Sequence, residues 1–106
     1  MLNIPQDTVG KAQAKELYES IEFTLSDGQS DYDLDSQQTT FRANLKPCHY
    51  VEIYSTQNIT IKFNATTNHS ITVRANSREV FDRQIANNIY LTNSSGSDST
   101  INLYLK

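Results

Sequence analysis

Four aspartates, Asp27, Asp31, Asp33 and Asp35, lie close together in the first third of the chain, and carboxylates at short, regular spacing are how a chain holds a hard cation. The last three match the first three ligand positions of a calcium loop of the EF-hand type. That loop needs glycine at its sharp turn and a bidentate glutamate at its end. Ser36 and Arg42 stand at those two places, so the EF-hand reading fails. A looser calcium site on a loop or between subunits is the alternative to a solvated edge strand. The edge strand is the expected role, because a row of carboxylates deters pairing with a stray strand.

Cys48 and His49 are a nucleophile and a base by type. Neighbours in an extended segment point to opposite faces, so these two cannot share the hydrogen bond that would activate the thiol. His69, the other histidine, falls in a predicted hairpin turn. A buried Cys48 filling space beside Pro47 is expected instead. Glu52 and Glu79 are the residue types a glycosidase pairs, yet nothing in the sequence places them together. With three glycines there is no phosphate-cradling loop. No catalytic residue, no metal ligand and no cofactor is assigned, and no enzyme activity is expected.

Tyrosine is the remaining chemistry. Tyr50, Tyr54, Tyr90 and Tyr104 each occupy the polar phase of an alternating segment, which lays their rings on the outside of a sheet. Such rings suit a protein interface. A sugar platform would more often recruit tryptophan, and the chain has none. The candidate interface residues are therefore Ile4, from the N-terminal arm, with Tyr50, Tyr54, Tyr90 and Tyr104.

The elements that must position these residues are mostly strands. Residues 1–8 read as an arm, because Pro5 discourages helix and no periodicity ties the segment to a core. Asp7 or Thr8 caps a helix from near Val9, whose Ala14, Leu17, Tyr18 and Ile21 form one apolar face, ending near Ser20. From Ile21 the period becomes two: Ile21, Phe23 and Leu25, then the Asp27-Gly28 turn, then Tyr32 and Leu34 as a short strand. Phe41, Ala43 and Leu45 carry the next alternation, and Tyr50 to Tyr54 another, with Val51 and Ile53 inward. Ile59, Ile61 and Phe63, with Ile71, Val73 and Ala75, flank a polar loop and read as a hairpin. Val80, Phe81 and Ile85 follow less regularly. Ile89 and Leu91, then Ile101, Leu103 and Leu105, flank Asn93 to Asp98 and read as a closing hairpin with Tyr90 and Tyr104 opposite one another outside.

Seven to nine short strands at roughly ten-residue spacing predict a mainly β fold, an antiparallel β-sandwich of jelly-roll-like type with one short N-terminal helix. Residues 9–106 form the single domain. Of 106 residues, 37% are hydrophobic, whereas Ser, Thr and Asn together supply 32, so the core is thin and support from neighbouring subunits is expected. A net charge of −3 without any Lys/Arg cluster argues against nucleic acid as a partner. The N-terminus has no basic segment leading into an apolar run, and no window approaches the roughly 20 apolar residues of a membrane span, so a chain made in the cytoplasm and no membrane partner are expected. Asn-X-Ser/Thr triplets at Asn58, Asn64, Asn68 and Asn93 are what Asn-rich turns produce by chance.

The segment Ala86-Asn-Asn-Ile-Tyr-Leu-Thr-Asn-Ser-Ser-Gly-Ser-Asp-Ser-Thr-Ile-Asn-Leu-Tyr-Leu-Lys106 resembles the closing hairpin of small bacteriophage virion proteins, in which an Ile-x-Leu strand, an Asn-x-Ser-Gly loop and an alternating last strand recur. The resemblance covers about a fifth of the chain. It implies a non-enzymatic structural subunit of the virion, a head decoration or cement protein or a tail- or neck-associated subunit. Its partners would be major capsid or tail proteins and further copies of itself. The family has no active site, so no functional residues carry over. A carbohydrate-binding module using the exposed tyrosines is the alternative from another class.

Overall fold

The computed structural model describes residues 19–38, 41 and 46–106. The expected arm, Ile4, the helix from Val9 and the positions Ala43 and Leu45 lie outside the described residues. Within them are eight strands, β1 (Glu19–Leu25), β2 (Tyr32–Asp33), β3 (Cys48–Ser55), β4 (Ile59–Phe63), β5 (Ile71–Val73), β6 (Arg78–Ala86), β7 (Ile89–Thr92) and β8 (Ser99–Leu105), and one short helix, α1 (Leu34–Gln37).

The longer strands other than β6 alternate, and the alternation decides what is buried. In β8, Ser99, Ile101, Leu103 and Leu105 are buried while Asn102 is exposed. In β4, Ile59, Ile61 and Phe63 are buried between half-buried Thr60 and Lys62. A strand with one apolar face must put it against another sheet. Two four-stranded sheets result, ordered β1-β8-β3-β6 and β2-β7-β4-β5. All pairs are antiparallel, and the pairing is nested: β1 with β8 and β3 with β6 in the first sheet, β2 with β7 and β4 with β5 in the second. Pairs β3 with β8 and β4 with β7 complete them. The chain is one long hairpin wound over itself, and the buried residues of both sheets form a single core. The antiparallel β-sandwich expected from the alternation is the observed architecture.

The closing hairpin is not observed. Both strands form, but β7 joins β4 and β2 in the second sheet whereas β8 joins β1 and β3 in the first. The polar loop between them is a crossing from sheet to sheet. It runs beside another crossing, residues 26–30, and the two are laced together. Gly28 N donates to Asn93 O at 2.7 Å, Asn93 N to Gln29 O at 2.8 Å, Asp27 N to Asp98 Oδ1 at 2.9 Å and Gly96 N to Asp27 Oδ1 at 2.9 Å. These backbone groups are satisfied by the neighbouring loop, so they have no need of a hairpin ladder. The other expected hairpin does form, with Ile59 opposite Val73 and Ile61 opposite Ile71.

Three further readings are corrected. Tyr32 and Leu34 do not continue one strand: the strand stops at Asp33, whose side chain accepts from Ser36 N and caps α1, and the buried Leu34 lies in that helix. Strand β1 already includes Glu19 and Ser20, ahead of the handover expected near Ile21. Ile71 shares the inner side with Ile61, yet it is 40% exposed, because β5 is a sheet edge. Irregularity in β6 has a backbone cause. Cys48 faces Ala86 while Tyr50 faces Asp82, so β6 carries extra residues there, and Arg83 takes a φ of 63°.

Candidate functional site

Strands β8 and β3 are the two central strands of the first sheet, and their outward residues meet side by side. One row across the sheet runs Ser20, Tyr104, Glu52, Val80; the next runs Glu22, Asn102, Tyr54, Arg78. Between these rows lies a surface groove of about 210 Å³, lined by Ser20, Glu52, Tyr54, Arg78, Asn102 and Tyr104 over the backbone of Leu103.

Hydrogen bonds fix the side chains around it. Glu52 Oε1 accepts from the Tyr50 hydroxyl at 2.8 Å, and Glu52 Oε2 lies 2.9 Å from Arg78 Nε. The carboxylate acceptor holds the Tyr50 proton, so the Tyr50 phenol is raised above its ordinary pKa, with desolvation adding to the effect. Tyr50 and Tyr104 meet edge to face with ring centres 6.3 Å apart, and Lys106 Nζ lies 5.5 Å from the centre of the Tyr50 ring. The Tyr54 hydroxyl donates to Asn76 Oδ1 at 3.0 Å. The glutamate and arginine neutralise one another. What remains for a ligand is a neutral floor with two aromatic walls, an amide and hydroxyls.

Of the interface residues read from the sequence, Tyr50, Tyr54 and Tyr104 share this face. Tyr90 does not: it sits on the outside of the second sheet, between Asp33 and Lys62. Its expected position opposite Tyr104 fails for the same reason as the closing hairpin. Ile4 lies outside the described residues.

The aspartates are each engaged separately. Asp31 pairs with Lys62 at 3.1 Å, Asp33 caps α1 and accepts from Asn88 Nδ2 at 2.7 Å, and Asp35 pairs with Lys46 at 2.7 Å. No group of three or more His, Cys, Asp or Glu arranged to hold a metal occurs among the described residues. Cys48 is fully buried, and burial pushes its thiol up to about 11, which keeps it protonated at neutral pH. His49 beside it is exposed. Glu52 lies on the outer face of the first sheet, opposite Val80. Glu79 lies opposite the inward Ile53 and pairs with Arg74, so the two carboxylates sit on opposite sides of the sheet.

Known proteins resemble the chain in fold alone. No family model and no curated protein matches the sequence. The chain is similar to a de novo designed double-stranded β-helix whose structure was solved in solution by NMR, with a TM-score of 0.57 and 13% identity over 83% of this chain and 99% of that one. A double-stranded β-helix is the architecture that nested pairing produces.

Arg78, Asn102 and Ser20 escaped the sequence reading. Their only signal is cross-strand register, and register requires knowing that β8 lies between β1 and β3. The asparagine triplets are structural at all four places, Asn58 through its Oδ1, which accepts from Ala75 N at 2.7 Å. Nδ2 of Asn64, Asn68 and Asn93 donates to the carbonyls of Ile85, Phe63 and Leu25 respectively.

Proposed function

We propose that this chain is a non-enzymatic structural subunit of a bacteriophage virion, a decoration or tail-associated protein that works by protein contacts and associates with further copies of itself. The observation that carries this reading is the distribution of exposed apolar and aromatic side chains. Val80 at 50% and Ile85 at 62% exposure lie along β6, and Ile71 at 40% lies on β5, each an edge strand of its sheet. Tyr50, Tyr54 and Tyr104 continue the surface across the outer face of the first sheet. A thin core with apolar side chains left outside along one flank suits a subunit whose burial is completed by neighbours. The resemblance of residues 86–106 to virion proteins supports the virion setting, and Cys48, held protonated in the core, supports a role without thiol chemistry.

The test is mass spectrometry of purified phage particles together with co-sedimentation of the recombinant chain. The chain should be present in particles and bind them. A variant carrying Ile71→Ser, Val80→Ser and Ile85→Ser should keep the β-sheet circular dichroism and lose co-sedimentation. Absence from particles, or unchanged binding by the folded variant, overturns the reading.

A further inference from the structure

We infer that the groove between Tyr54 and Tyr104 is a binding subsite for one neutral sugar unit of a glycan. This stands on the groove's own chemistry and does not depend on the virion reading.

Placement excludes a peptide strand. The groove lies over β8 and β3, and both have strand partners on each side, so no backbone N–H or C=O is left there for an added strand. Any ligand must be read by side chains alone. Size points to a small one: about 210 Å³ is below the ~300–1,000 Å³ of drug-sized pockets and admits roughly a single ring.

Charge selects the class. Glu52 is closed off by Tyr50 on one oxygen and by Arg78 on the other, so neither a cationic nor an anionic ligand finds an unopposed partner. An anion would face Glu52, and a cation would face Arg78. A neutral ligand rich in hydroxyls meets no such penalty. The side chains of Ser20 and Asn102 offer donors and acceptors at the rim, and the mostly exposed guanidinium of Arg78, held through Nε, presents its outer N–H groups. The two tyrosine rings supply aromatic surface against which the C–H face of a pyranose packs. Their positions are fixed, Tyr54 by its bond to Asn76 and Tyr104 by its edge contact with Tyr50, so little side-chain entropy is lost on binding.

The experiment is an NMR titration of the isotope-labelled chain with the methyl glycosides of glucose, galactose, mannose and N-acetylglucosamine, with glucose 6-phosphate as the charged comparison. At least one glycoside should shift the amides of Ser20, Tyr54, Asn102 and Tyr104 saturably, with a millimolar Kd. Tyr104→Ser and Asn102→Ala, each checked for an otherwise unchanged spectrum, should weaken it at least about tenfold. Tyr54→Phe, which keeps the ring and loses only its bond to Asn76, should weaken it less than Tyr104→Ser does. The inference is overturned if none of the four glycosides shifts these amides, if both folded variants bind as the parent does, or if glucose 6-phosphate binds more tightly. Particle co-sedimentation in the presence of the bound glycoside reads the virion proposal separately, since loss of one leaves the other standing.

Discussion

Ser55 and Ser99 place their hydroxyl oxygens 2.6 Å apart in the buried interior, 44 positions apart in sequence, at the end of β3 and the start of β8. Ser55 Oγ also donates to Gln57 O at 2.7 Å, so the pair ties the turn after β3 to the entry of β8. Replacing Ser99 by Ala removes this bond and those of Ser99 Oγ to Thr56 Oγ1 and Gln57 N, while Ser55 keeps Gln57 O, and should cost about 1–2 kcal/mol in urea unfolding. Ser55→Ala with Ser99→Ala should cost less than the sum of the single changes, with a coupling of about 1 kcal/mol. Strict additivity would show that the bond contributes nothing.

Asn93 sets the crossing between the sheets. Its Nδ2 donates to Leu25 O at 2.9 Å and to Ser97 O at 2.8 Å, and its Oδ1 accepts from Ser95 N at 3.0 Å. Asn93→Asp keeps the shape and turns a double donor into an acceptor facing two carbonyls in a buried site. It should cost about 3 kcal/mol at neutral pH, measured by thermal or urea unfolding. Part of that loss should return on acidification, because a protonated carboxyl donates again.

Cys48 gives the fold an alkaline limit. Its thiol is raised from 9.0 to about 11 in the folded chain. Above pH 9.0 the unfolded chain ionises first, so the stabilisation held below that value is lost as pH rises toward about 11. About 3 kcal/mol is at stake over that window. Tyr50, whose phenol is also raised, acts in the same direction, so the measurement belongs in a Tyr50→Phe background. There, Cys48→Ala should flatten the fall in urea midpoint across this range. Thiol reagents should label Cys48 no faster than the chain unfolds.

Arg83 holds a left-handed backbone that side chains other than glycine's disfavour. Arg83→Gly should leave stability unchanged or raise it by up to about 1 kcal/mol. The same change at Thr24, an exposed and extended position of β1, should lower it by about 1 kcal/mol. Equal losses at both sites would refute the role of the φ angle in the β6 bulge.

The strands and the inward residues were legible in the sequence, because side-chain alternation is local: Ile21, Leu25, Val51, Ile53, Ile61, Leu91, Ile101, Leu103 and Leu105 are all buried as their phase requires. Pairing was legible only for β4 with β5, whose connection is short and whose partners are neighbours in both senses. Ile89–Thr92 and Ser99–Leu105 carry the same local grammar, yet they belong to different sheets, and the loop residues that decide this, Asn93 and Asp98, find their partners at Leu25, Gly28 and Asp27, far away in sequence. The groove was hidden for the same reason. Tyr54 and Tyr104 stood out as exposed rings, whereas Arg78 and Asn102 became their neighbours only through register. Tyr90 was misplaced because its surface was inferred from a hairpin that does not exist.

Strand β8 sits in the middle of its sheet but comes last of the described strands off the ribosome. Until it emerges, β1 waits alone and β3 holds only β6, so the first sheet exists in two unjoined parts. Joining of the first sheet thereby waits for β8, and the wide sequence separation between partners predicts refolding over milliseconds to seconds. A nascent chain stalled short of Ser99 should accordingly leave β1, β3 and β6 open to proteases.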